Sequence, residues 1–198
     1  MVLSTKEQIT KGALKAFAQY GYNDTTMESI ADQAQVAKGT LYYHFKTKEE
    51  LFLYVNQKGV ELLIDSVTRA MKNTANSVEE RIICVLDEHL QFFVENKECA
   101  FLLINFAIGE LNRGELIRSF LANYFSTMEQ FIQDLKDQGY VDVELDVHTL
   151  VSALFGMIGF TALRKLYRGE QVDTPECKRT LLALLRSALF TGPLAESQ

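Results

Sequence analysis

"VAKGTLYYHFKTKEELF", Val36 to Phe52, is the stretch on which the fold turns. It places Lys38, Gly39, Tyr42, Tyr43 and His44 in one short run, then restarts at a threonine with a charged, periodic segment. At about 100° per residue of helix, Leu41 and Phe45 fall together and must face a core. Gly39, Thr40 and Tyr43 lie on the opposite side, flanked by Lys38, Tyr42 and His44. Such a face suits neither a core nor plain solvent. Gly39 removes side-chain bulk where a backbone or base edge could come close, and the hydroxyls and His44 can donate to phosphate oxygens. Lys38 in the first turn opposes the helix dipole, so an external anion is expected beside it.

Working upstream, Ile9, Ala13, Ala16, Phe17 and Tyr20 form one apolar stripe of a helix over about 5–20 that stops at Gly21. Met27, Ile30, Ala31 and Ala34 form a second over about 26–34, capped from Thr25 with Glu28 three residues on. The alanines permit close helix approach. The short turn "QVA" then leads into the third helix, about 38–45, and two short helices joined this way form a helix-turn-helix.

The span from about Ile9 to Phe52, with its "FAQYGY", "TTMESIA", "KGTLYYHF" and "KTKEELF" blocks, resembles the DNA-binding head of the TetR family of bacterial transcriptional regulators. The resemblance implies that Lys38, Gly39 and Thr40 approach bases in the major groove of double-stranded DNA. It implies sugar-phosphate contacts from Tyr42, Tyr43 and His44, and backbone contacts from Thr25 or Thr26 and from Lys48. Helix N-termini suit phosphate on physical grounds. Gln35 stands where such proteins usually carry a turn glycine. Ala37 stands where a serine or threonine usually caps the third helix, an omission worth about 1 kcal/mol.

Downstream, caps at Thr47, Ser77 and Thr174-Pro175 and stops at Gly139 and Gly169 predict helices over about 48–73, 78–95, 98–109, 115–138, 146–168 and 175–190. "YVDVELDV" is expected to be a loop holding the next cap. The expected fold is all-α, about nine helices, with a helix-turn-helix head over residues 1–50 and a ligand-binding and dimerisation body over 51–198.

Charge divides the same way. Of a net −6, residues 1–50 contribute nothing, with six lysines against six acids, and the body carries the whole deficit. An acidic body on a neutral head fits a protein that meets a polyanion with one end. It disfavours a highly anionic ligand in the body.

Ten of the 13 phenylalanines fall at or after Phe92, more than packing alone requires, which suits an apolar cavity for a small apolar ligand. Candidate lining residues are His89, Phe92, Phe93, Phe101, Asn105, Phe106, Tyr124, Phe125, Met128 and Phe155, with Glu110 a further polar insertion. In the last two helices, Gly156 and Gly159 with Leu181, Leu184, Leu185 and Ala188 read as a seam that pairs with its own copy, as the family resemblance implies.

Cys84, Cys99 and Cys177 are odd in number without CxxC spacing, so neither a disulfide scaffold nor a metal site is expected. The uncharged run Val147 to Leu163 is shorter than the ~20 residues that span a bilayer, and "MVLSTKEQ" has no apolar leader. A cytoplasmic protein without membrane contact is expected. No GxSxG, HExxH, P-loop or dinucleotide motif accompanies the three histidines, so no catalytic residue and no cofactor is expected. The chain should be a ligand-responsive regulator, most simply a repressor that binds a palindromic operator as a homodimer and is released by a small apolar molecule. The alternative is a DNA-bound adaptor of the same fold that senses no small molecule and recruits a protein partner.

Overall fold

The helix starts that the sequence marks with caps at Thr47, Ser77 and Thr174 are built as such, and the cap of the second helix shifts by one residue. The structure, a computed structural model, describes residues 3–72, 77–108 and 114–189, the side chains of 103–120 excepted. Among these residues the order is α1 Thr5–Asp24, α2 Met27–Ala34, α3 Lys38–His44, α4 Lys48–Met71, α5 Val78–Glu95, α6 Lys97–Ile108, α7 Gly114–Asp137, α8 Val147–Tyr167 and α9 Pro175–Leu189. The chain is all-α. Two compact units emerge: residues 1–62 with 96–120, and 63–95 with 121–198.

In the first unit, Ser4 and Glu7 close a capping box on α1, the Ser4 amide donating to Glu7 Oε2 at 2.7 Å. Regular helix ends at Gly21, whose φ of 77° only glycine adopts freely. Thr25 then folds back, and its hydroxyl donates to the Gly21 and Ala16 carbonyls at 2.6 and 3.2 Å. With Thr25 buried in this corner, the α2 cap moves to Thr26. Its Oγ1 accepts from the Ser29 amide at 3.0 Å, while Ser29 Oγ accepts from the Thr26 amide. The expected Thr25–Glu28 box is therefore shifted by one residue.

α1 and α2 touch at Gly12, where an added Cβ would lie 2.7 Å from Ala34 Cβ and 2.8 Å from Ala34 backbone. Ile9, Ala13, Phe17, Ile30, Leu41 and Phe45 fill the core beside this contact. Gln35 ends α2 in the left-handed region, φ 57°, and its amide donates to Ala31 and Asp32 carbonyls. A non-glycine there is held at some strain.

In the second unit, α5 and α9 run antiparallel. Glu79 pairs with Arg186, and Asp87 with Lys178 at 2.8 Å, equal steps along each helix but in opposite order. Asp146 caps α8 through the Thr149 amide at 2.8 Å, so the loop before it has the expected role. His148 in the first turn of α8 meets Glu129 of α7 at 2.8 Å.

Candidate nucleic-acid interface and effector cavity

α3 buries Leu41 and, just past its end, Phe45, and turns the rest outward. Tyr43 is 75 % exposed, far more than a tyrosine needs for packing. Its ring meets His44 edge-on at 5.2 Å. Gly39 is exposed, and a Cβ built there would meet nothing within 4 Å. No neighbour forbids a side chain, and glycine within a helix costs up to about 1 kcal/mol relative to alanine. Packing among the described residues therefore gives no reason for a glycine at position 39. Thr40, Tyr42 and His44 are half-buried along the same face. Ala37 makes no side-chain cap at the α3 amino end.

Lys38, Lys48 and Thr25 are each placed differently from expectation. Lys38 pairs with Glu28 of α2, so its anion is internal. The shared hydrogen bond holds the Glu28 carboxyl below its ordinary pKa and the Lys38 ammonium above its own. Both groups are well exposed, and such pairs contribute little, so a phosphate can compete for Lys38. Lys48 does not reach outward. Its ammonium donates to the carbonyls of Tyr22 and Thr25, both at 2.7 Å, and lies 4.4 Å from the Tyr22 ring centre. It clamps the corner between α1 and α2, where outward-pointing carbonyls favour a cation. Thr25 is fully buried with its hydroxyl engaged, so of the two threonines only Thr26 is exposed. Lys46, which sequence reasoning passed over, caps the end of α3 by donating to the Tyr42 carbonyl at 2.9 Å.

The second unit holds a cavity of about 30 Å³ between α5, α7, α8 and α9. Its wall is apolar, from Ile82, Leu86, Phe131, Leu154, Ile158 and Leu189 among others, and it contains one polar pair, His89 and Tyr124. His89 Nδ1 lies 2.7 Å from the Val85 carbonyl and Nε2 2.6 Å from Tyr124 Oη. A carbonyl only accepts, so Nδ1 carries the proton, Nε2 accepts, and the tyrosine donates. Burial lowers the His89 pKa to about 4 and raises that of Tyr124. The pair is neutral, and toward the cavity it offers an acceptor, not a donor.

Of the ten expected lining residues, His89, Tyr124, Met128 and Phe155 line this cavity. Phe92 and Phe93 continue the same α5 stripe one turn further on, buried but beyond the lining. Phe125 packs on Tyr124 and Phe155 without lining it, and Phe101 belongs to the other unit. The side chains of Asn105 and Phe106, and Glu110, lie outside the described residues. The α5 spacing of Ile82, Val85, Leu86 and His89 is the signal that could have marked this face, and phenylalanine density passed over it. In the expected seam, Gly159, Leu181 and Leu185 are buried within the chain, and Leu185 lines the cavity. Gly156 and Ala188 are half-buried and Leu184 is half exposed. Burial pushes the Cys99 thiol up to about 12 and raises that of Cys177, which leaves both protonated.

A helix-turn-helix with an uncapped, aromatic outer helix in one unit, and a small apolar cavity in the other, are the features of a ligand-responsive DNA-binding regulator. Residues 9–55 match the family model "Bacterial regulatory proteins, tetR family", and residues 56–187 match "YsiA-like protein, C-terminal region". The chain belongs to the TetR family. It is a DNA-binding transcriptional regulator and not an enzyme, and a ligand-responsive repressor fits its head and cavity. It is 24 % identical over 183 residues to the fatty acid metabolism regulator protein of Bacillus subtilis, covering 92 % of this chain and 94 % of that one. Its fold is similar to the fatty acid degradation regulator FadR of Bacillus halodurans, TM-score 0.81 at 22 % identity, covering 92 % and 98 %. FadR of Bacillus subtilis, solved in complex with stearoyl-CoA, has TM-score 0.79 at 22 % identity, covering 92 % and 98 %.

Proposed function

We propose that this chain is a homodimeric cytoplasmic repressor that reads a palindromic operator through α3 and is released by a fatty acyl ligand. The observation that carries the ligand class is the cavity, apolar throughout except for a neutral acceptor pair. Such a wall favours a long hydrocarbon over a sugar, a nucleotide or a carboxylate. The relatives named for fatty acid regulation, and the stearoyl-CoA in one of them, support that class. At about 30 Å³ the cavity holds one water-sized group. An acyl chain therefore enters only by parting the helices. A ligand that binds the parted state alone shifts the equilibrium toward it, and α4, whose last residues belong to the body, is the continuous helix through which the head responds.

The DNA contacts fall to Thr26, Lys38, Gly39, Thr40, Tyr42, Tyr43 and His44, with Lys48 and Thr25 holding the corner from behind. A second copy covers the outward faces of α8 and α9. Phe160 and Leu184 are 57 % and 50 % exposed there, and a Cβ on Gly156 would meet nothing in the chain. As at Gly39, the close approach that a glycine permits comes from another molecule. Two heads related by a two-fold axis fit half-sites one helical turn apart.

Fluorescence anisotropy on a duplex selected from a random library tests this reading. Binding should weaken steeply as salt rises, because phosphate contacts release counterions, and lauroyl-CoA should release the DNA. A flat salt response, or DNA binding indifferent to acyl ligands of every chain length, contradicts it.

A further inference from the structure

We infer that the groove at the C-terminal end of α4 receives the phosphorylated headgroup of an acyl-CoA, whose chain enters the cavity tail first. This rests on the acyl reading above and names the polar half of the same ligand. The groove has a volume of about 630 Å³ and lies between the end of α4, the start of α5 and α7. It holds two cations, Lys72 and Arg81, against one carboxylate, Asp134, and that carboxylate already accepts from Gln130 Nε2 at 2.8 Å. The acidic composition of the body made an anionic ligand unexpected. The groove gathers positive charge locally all the same.

Arg81 is held in place from two sides. Its Nε donates to the Met71 carbonyl at 3.0 Å, and its guanidinium lies 5.3 Å from the centre of the Phe131 ring. Lys72 is exposed and has no partner among the described residues. The Thr68 hydroxyl, also on the lining, is buried without a hydrogen-bond partner, a state that costs about 1–3 kcal/mol unless a ligand or water completes it.

The groove and the cavity are neighbours. Phe131 lines both, and Arg81 of the groove directly precedes Ile82 of the cavity on α5. A molecule with a charged head and an apolar tail can lie across that wall. Its direction follows from the deep polar pair. Tyr124 already donates to His89, so a thioester carbonyl or a carboxylate finds no donor there, whereas a terminal methyl loses nothing. The polar end therefore stays at the groove. Thr68, Met71 and Lys72 lie at the end of the helix that begins at Lys48 in the head.

Isothermal titration of the full chain with lauroyl-CoA, laurate and CoA alone tests the assignment. Two variants change the charge of the groove: Lys72→Glu, and Ser126→Glu on the exposed face of α7. Each should weaken lauroyl-CoA about tenfold, as added negative charge beside phosphates requires, and leave laurate within about twofold. Wild-type protein that binds lauroyl-CoA and laurate, with both variants weakening the two alike or neither, overturns the headgroup site and leaves the acyl reading standing. Wild-type protein that binds neither ligand overturns both.

Discussion

The outward face of α3 and the cavity of the second unit treat their polar groups in opposite ways. On α3, hydroxyls, an imidazole and an open glycine are presented to solvent with too few partners of their own. In the cavity, every polar atom is paired, and the pair is turned into a neutral acceptor by burial. A face with unmet capacity calls for a partner rich in charge and hydrogen-bonding groups, and an apolar wall calls for a partner that has neither. Within the head, Gly12 and Gly39 make the same contrast at the scale of one atom. Ala34 forbids a side chain at the first, and nothing in the chain forbids one at the second. Gly12 is explained by folding, and Gly39, which folding does not explain, is where the proposed duplex contact is tested.

The buried pair in the cavity yields the largest expected effect. His89 has its pKa lowered to about 4 by burial, against an ordinary 6.5. Between these values the unfolded chain takes up a proton that the folded chain refuses, so stability falls as pH drops from 6.5 toward 4, by roughly 3 kcal/mol at the lower end. Urea unfolding across that range should show the slope, and His89→Leu should remove about one proton from it. An unchanged slope in the variant would mean that the imidazole is open to solvent.

The two glycines give the next. Gly12→Ala forces α1 from α2 and should cost about 1–3 kcal/mol, the usual penalty for overpacking, read as a lower urea midpoint. It should weaken operator binding as well, because α2 sets the position of α3. A midpoint within error of wild type would place the Ala34 contact in doubt and dissolve the contrast with Gly39.

Much of this was legible in the sequence because helices announce their ends. The Thr47, Ser77 and Thr174 caps and the Gly21 break put helix limits within a few residues of those found. Side-chain direction was harder. Thr25 and Thr26 are equivalent as cap residues until the α1 corner buries one of them. Lys38 and Lys48 read as free cations because their partners, Glu28 and the carbonyls of Tyr22 and Thr25, come from other parts of the chain. In α8 and α9 small and apolar residues occur on both faces, so periodicity alone could not assign Gly159, Leu181 and Leu185 to the core and Gly156 and Leu184 to the outside. Aromatic density drew the cavity toward Phe92 and Phe93, whereas its wall is mostly aliphatic. The pairing of Lys72 with Arg81 leaves no mark on local sequence, since a helix end and a helix start meet there only in the folded unit.

The most direct test of the account replaces Gly39 by alanine and measures two quantities on the same preparation. The urea midpoint should hold or rise, by up to about 1 kcal/mol, since alanine is the better helix former and its methyl meets nothing. Operator affinity should fall at least about tenfold. A Gly39→Ala protein that binds its operator as tightly as wild type would show that α3 does not bring this position against the duplex.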